Sequence, residues 1–345
     1  MGQGRVLAVA AVVGFGWAFI ATAARQSRRI DLSDCVVVVT GGGRGLGFAI
    51  AREFVRRGAD VAICGRDADE VGRAADVLRQ LGGDVMGLAC DASNPLEVEE
   101  FFDRVIDRFG RIDVLVNNAG QCYVGPAAEL ESGQVEDAMR NIFWVQVYPT
   151  IAVLPHMRAR KFGRIVHVSS IGGKIPLAHM AAYAAAKHAV TGWSESLAVE
   201  LDKEGILVTT IAPPPLRDGA ALYGHFGGRS EQEFRWFTTA CNMPLLSSTA
   251  ERTAKAVVEA AQHGDAERDV SFFSWFSARA QGLAPTLMSG VMRIINRMLP
   301  EPAAAPYKSG MRRGGEILES SYDDSIAALG ALTRNQARAY RPAEV

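Results

Sequence analysis

The chain has 345 residues, 48% hydrophobic and 22% charged, a globular composition that excludes a disordered or fibrous polypeptide. Its 37 Lys and Arg against 38 Asp and Glu leave a formal net charge of −1, so no overall basic field draws it to nucleic acid. The five cysteines, Cys35, Cys64, Cys90, Cys122 and Cys241, are odd in number and scattered. They read as buried thiols in a reducing compartment, with no close pair to form half of a zinc site, and no metal is expected.

From Val6 to Ala24 runs an uncharged apolar stretch, VLAVAAVVGFGWAFIATAA, long enough as a helix to cross a bilayer. Arg5 alone precedes it, whereas Arg25, Arg28 and Arg29 follow, and the positive-inside rule predicts a transmembrane anchor with the rest of the chain on the cytoplasmic side. Two other readings are a cleaved secretory signal, with Ala21-Thr22-Ala23 at the cleavage site, and an apolar helix buried in the fold. The predicted organisation is an anchor and basic flank over 1–29, a catalytic domain over 30–275 and a C-terminal extension over 276–345.

Beyond the anchor, β-branched runs at 35–39, 61–64, 85–89, 114–116, 164–168 and 207–211 read as strands. The segments between them carry apolar residues at three- and four-residue spacing, as in Phe48, Ile50, Ala51, Phe54 and Val55, which predicts helices. Strict alternation implies an α/β fold, a doubly wound parallel sheet with helices on both faces. Such sheets bind ligands beyond the carboxyl ends of their strands.

The first strand ends in Thr40-Gly41-Gly42-Gly43-Arg44-Gly45-Leu46-Gly47 and leads into a helix. Bare backbone N–H groups at a helix N-terminus attract phosphate, so this turn reads as a dinucleotide site. The second strand ends in Gly65-Arg66-Asp67. An acid at that tip holds the ribose 2′-hydroxyl of NAD, while a cation takes the 2′-phosphate of NADP. Arg66, with Arg44 from the glycine turn, favours NADP(H); the other reading gives Asp67 the acid's place.

After the fifth strand come Ser169-Ser170 and then Tyr183-Ala184-Ala185-Ala186-Lys187. Four residues apart, the phenol and the ammonium share a helix face, and an adjacent ammonium lowers a tyrosine pKa from about 10. His167 and His179 lie nearby but read as satisfied histidines rather than acids.

These motifs resemble the short-chain dehydrogenase/reductase family, in the branch with a TGxxxGxG loop and a YxxxK pair. The resemblance runs from about Ile30 to Gln262 and implies a Rossmann-type sheet. It also implies roles. Tyr183 exchanges the proton at the substrate oxygen, and Lys187 holds the nicotinamide ribose and lowers the tyrosine pKa. Ser170 hydrogen-bonds the carbonyl, and Asn141 holds a water in the relay. Asp91 contacts adenine, and Asn118, with Ala119 and Gly120, shapes the cofactor cleft. The expected cofactor contacts thus comprise Thr40, Gly41, Gly43, Arg44, Gly45, Leu46, Gly47, Arg66, Asp91, Asn118, Ala119, Gly120, Tyr183, Lys187, Pro213 and Leu216. Family members are commonly dimers or tetramers.

One segment departs from the family pattern. After the sixth strand, Pro214 stands where a glycine is usual and Asp218 where a threonine is usual, so the backbone there is stiffer and the nicotinamide contacts are expected to differ. The aromatic-rich stretch from Gly219 to Met243 falls where relatives keep a substrate-covering loop and suggests a hydrophobic pocket. Near residues 283–299, Leu287, Val291, Ile295, Met298 and Leu299 predict one amphipathic helix, ended by Pro300. The expected activity is NADP(H)-dependent interconversion of carbonyl and alcohol on a steroid-, retinoid- or fatty-aldehyde-like substrate. The alternative is a membrane-tethered NADP(H)-binding scaffold or sensor.

Overall fold

A computed structural model describes residues 22–33, 35–302 and 310–341. In chain order the described part comprises helical residues 22–27 (α1), β1 (Val36–Thr40), α2 (Gly45–Arg56), β2 (Asp60–Gly65), α3 (Ala68–Gln80), β3 (Val85–Ala89), α4 (Pro95–Phe109) and β4 (Val114–Asn117). Then follow β5 (Tyr123–Val124), α5 (Ser132–Ala138), a π-helical turn over Met139–Trp144, α6 (Val145–Arg160), β6 (Gly163–Val168), α7 (Ala181–Leu201) and β7 (Ile206–Ile211). The remainder is β8 (Leu216–Arg217), β9 (His225–Phe226), α8 (Ser230–Asn242), β10 (Ser248–Thr249), α9 (Ala250–His263), β11 (Glu267–Arg268), α10 (Phe272–Leu283), α11 (Pro285–Asn296), β12 (Arg312–Arg313), α12 (Gly314–Ser320) and α13 (Asp324–Ala339).

Seven strands form a parallel sheet in the order β11-β7-β6-β4-β1-β2-β3. The chain winds outward one way from β1 through β2 and β3, then returns to β4 and winds the other way. The crevice between the ends of β1 and β4 is therefore the switch point where such sheets receive a ligand. Alternation along β1 divides its side chains between two cores: Val37 and Val39 join one with α2, α3 and α9, whereas Val36 and Val38 join the other with α4, α6 and α7. Both faces are dry, which is why the strands read as continuous apolar runs. Phe54, fully buried on α2, anchors the first core. Phe54→Ala is expected to cost about 3–5 kcal/mol in urea unfolding, and an unchanged midpoint would contradict this packing.

The expected transmembrane helix, the membrane as partner and the membrane-anchored, cytoplasmic-side location are corrected here, while the Rossmann-type sheet stands. No helix among the described residues is long and apolar enough to cross a membrane. A span needs about 20 predominantly apolar residues. The 21-residue α7 has the length, but it carries Lys187, His188, Glu195 and Glu200. Most of the Val6–Ala24 stretch lies outside the described residues. Its end, from Thr22, belongs to α1, whose Arg25 makes a two-pronged ion pair with Asp265 at 2.7 and 3.0 Å.

Past the sheet, the helix expected near residues 283–299 is present as α11, opened by Pro285, and a further helix, α10, precedes it. The chain then returns to the domain through α12 and α13, with Ile317, Ile326, Ala337 and Tyr340 buried. The predicted aromatic segment divides. Phe226 and Phe234 are fully buried, while Trp236 and Phe237 pack beside Tyr183 in the same apolar cluster.

Candidate active site

The glycine turn follows β1 at the switch point. Gly41 and Gly45 have φ of +66° and +56°, a region that side chains with a Cβ rarely adopt. Gly47 touches the turn itself: a Cβ there would stand 2.0 Å from the Gly41 carbonyl oxygen. The Thr40 hydroxyl accepts the N–H groups of Asn118 and Ala119, both at 3.1 Å. The Asn118 amide in turn donates to the carbonyls of Thr40 and Gly41 at 3.2 and 3.3 Å. Thr40 and Asn118 thus brace the cradle, and Gly43 lies against the Glu70 carboxylate. This glycine cradle at a helix N-terminus fits a dinucleotide.

Beside the cradle, the charges are arranged differently from the sequence expectation. Arg44 pairs with both oxygens of Glu70 at 2.7 and 2.6 Å and stacks over Tyr223 at 4.0 Å. Asp67 caps α3 by accepting the Glu70 N–H at 2.9 Å, a bond that holds its carboxyl below the usual range. Arg66 is exposed at the tip of β2. Asp91 accepts the N–H and hydroxyl of Ser93 at 2.9 and 2.8 Å. Glu70 was not singled out from sequence, although its place three residues after the cap Asp67 is a helix-start signal.

The catalytic candidates meet beyond β6. Tyr183 and Lys187 lie on the inner face of α7, and the Lys187 ammonium donates to the Val168 carbonyl at 3.0 Å, 5.9 Å from the Tyr183 ring centre. Ser170 stands close enough to the Tyr183 phenol to draw its pKa down, and its own oxygen accepts the Gly172 N–H at 3.1 Å. Gly120 lies between the Lys187 ammonium and the Asn141 carbonyl; a Cβ on it would be 3.8 and 3.9 Å from them. Asn141 sits in the π-helical turn, a device frequent at functional sites, and its amide donates to the Tyr123 hydroxyl at 3.2 Å. Ser170, Tyr183, Lys187 and Asn141 are therefore brought together.

Their electrostatics differ in one respect from expectation. Burial pushes the Tyr183 phenol above its ordinary value, with the buried Cys122 thiol adding to the rise, and the nearby Ser170 only partly offsets this. Lys187 is itself brought down to about 8 by desolvation. The phenol is thus held protonated, suited to giving a proton to an oxygen that gains charge. His167 is buried with its pKa lowered to about 3, and His179 pairs with Glu233 at 2.8 Å, so both are engaged elsewhere.

After β7, the Pro213 carbonyl accepts the Ile171 N–H at 2.8 Å and ties this turn to the Ser170 loop, while Leu216 pairs with Ser248. Asp218 is buried against the glycine turn, its Oδ2 3.5 Å from where a Cβ on Gly45 would lie. Burial raises its pKa, while the Ala220 and Leu46 N–H groups pull it down.

Residues 35–221, more than half of the chain, match the family described as short chain dehydrogenase. An 11-beta-hydroxysteroid dehydrogenase A of Sesamum indicum is 31% identical over 273 residues, 77% of this chain and 76% of that protein. A dehydrogenase/reductase of Danio rerio, SDR family member 7B, is 33% identical over 225 residues, 63% of this chain and 72% of its own length. The solved structure of actinorhodin polyketide ketoreductase with NADPH superposes with a TM-score of 0.59 at 30% identity, over 68% of this chain and 94% of that one. With the fold, the cradle and the Ser170, Tyr183 and Lys187 cluster, these likenesses establish that the chain belongs to the short-chain dehydrogenase/reductase family, as an oxidoreductase acting on CH–OH groups.

Proposed function

We propose that the protein interconverts a carbonyl and an alcohol on a hydrophobic, steroid-like substrate, with NADP(H) as cofactor and Tyr183 as general acid and base. The observation that carries this reading is the buried Ser170, Tyr183 and Lys187 cluster beside the glycine cradle. The nicotinamide, when bound, supplies or accepts the hydride. In reduction, the Ser170 hydroxyl donates a hydrogen bond to the carbonyl oxygen and the Tyr183 phenol gives its proton to the same atom. The Lys187 ammonium, fixed by the Val168 carbonyl, stabilises the phenolate left behind. Gly120 lies beside the ammonium, with the Asn141 carbonyl next to it.

Apolar side chains surround the phenol. Cys122, Leu177, Met180, Trp236 and Phe237 share its cluster, which supports an apolar substrate, as does the likeness to a hydroxysteroid dehydrogenase. The preference for NADP(H) rests on Arg66 at the β2 tip and on Asp67 being engaged as a helix cap. A panel of apolar ketones and aldehydes, followed by NADPH absorbance, is expected to give turnover with NADPH exceeding that with NADH. Arg66→Ala is expected to raise KM for NADPH about tenfold with little change for NADH. Equal use of both cofactors, or an equal loss with both in the variant, would overturn the assignment.

A further inference from the structure

The first N–H groups of a helix have no partners within it and take acceptors from outside, which is what makes the N-terminus of α2 a phosphate cradle. Here the chain supplies those acceptors itself. The Gly45 N–H donates to the Tyr340 carbonyl at 2.9 Å, and the Asp218 carboxyl lies beside the same turn, its Oδ2 3.5 Å from where a Cβ on Gly45 would stand. The neighbouring cation, Arg44, is held by Glu70.

Tyr340 is brought there by a helix that is firmly seated. Its hydroxyl bonds Glu251, Gln336 donates to Asn242 at 2.6 Å, and Ala337 packs so closely on Gly219 that a Cβ there would lie 2.7 Å from the Ala337 Cα. Arg235 reaches Asp323 at 3.6 Å at the start of α13. The seat of α13 and the filling of the cradle are thus one arrangement, joined through the turn that holds Asp218 and Gly219.

We propose that α13 and Tyr340, together with Asp218, form an autoinhibitory latch that fills the diphosphate cradle, so that the dinucleotide binds only as the latch withdraws. The inference rests on the reading of the glycine turn as the cofactor site. A diphosphate and the Asp218 carboxylate repel, and the diphosphate competes with the Tyr340 carbonyl for the Gly45 N–H. The apparent affinity for cofactor is therefore reduced by the fraction of molecules in which the latch is open.

The test is hydrogen exchange of the full chain with and without NADPH, beside fluorescence titration of NADPH into wild type, Tyr340→Phe and Asp218→Thr. Tyr340→Phe removes only the hydroxyl that bonds Glu251 and leaves the ring to pack. The expected result is slower exchange over 41–47 and faster exchange over 324–340 on binding. NADPH should bind about fivefold more tightly to Tyr340→Phe and about tenfold more tightly to Asp218→Thr. Protection of 324–340 together with 41–47, or unchanged exchange there with unchanged affinities, overturns the latch while leaving the cofactor site intact. Binding by the variants alone supports it, and binding by none removes both the cofactor reading and the latch.

Discussion

Tyr183→Phe is expected to lower turnover by about 10²–10⁴-fold while the protein folds and binds NADPH as before. The ring packs among Cys122, Leu177 and Trp236 on one side and Ala182 and Ala186 on the other, and phenylalanine keeps that packing. What disappears is the hydroxyl, the atom proposed to hand over the proton. The pH dependence follows from the direction of its shift. Burial raises the phenol pKa, so the proton donor persists through neutral pH, and reduction should slow only when alkali removes that proton. Oxidation needs the phenolate and should accelerate over the same rise. Steady-state profiles in both directions check this, and near-normal turnover in the phenylalanine variant would dismiss Tyr183 as the proton donor.

The second large effect is expected at Gly47. A methyl group at this position meets the Gly41 carbonyl oxygen at 2.0 Å, its carbon at 2.8 Å and the Asn118 amide at 2.5 Å. Two of these are backbone atoms, so the turn itself must shift. Gly47→Ala is expected to abolish measurable NADPH binding by fluorescence titration and to destabilise the fold by about 1–3 kcal/mol in urea. Gly72 on α3 is the comparison: a Cβ there meets nothing within 4 Å, and Gly72→Ala is expected to stabilise by about 0.4–1 kcal/mol. Normal cofactor binding by the Gly47 variant would show that the cradle tolerates what its geometry forbids.

The sheet was legible because its strands are buried on both faces: apolar runs such as Val36–Thr40 leave little choice of period. The seventh strand was missed, since Glu267 and Arg268 join the edge through backbone pairing alone and carry no strand pattern. Of the four catalytic candidates, Tyr183 and Lys187 stood out through their spacing and Ser170 beside a strand end, whereas Asn141 rested on the family resemblance. What could not be read were partners brought in from far along the sequence. The Tyr340 carbonyl that meets Gly45 is a main-chain atom and has no residue signature, and Asp218 showed only as a departure from a pattern. The Arg44 and Glu70 pair depends on how α3 sets down against the glycine turn, a packing outcome. The helix expected near residues 283–299 was legible from its apolar spacing, and α11 occupies 285–296, with Pro285 at its start, where proline is at home.

The π-helical turn that carries Asn141 has a wider consequence. Inserting the wide turn between α5 and α6 resets the rotation of one helix relative to the other. The face of α6 that bears Val153, Leu154 and Met157 must stay on the sheet, whatever precedes it. The rotation of α5 is therefore set separately from that of α6, and Asn141 stands at the joint between them. The wide turn thereby lets Asn141 be aimed at the site without disturbing how α6 lies on the sheet.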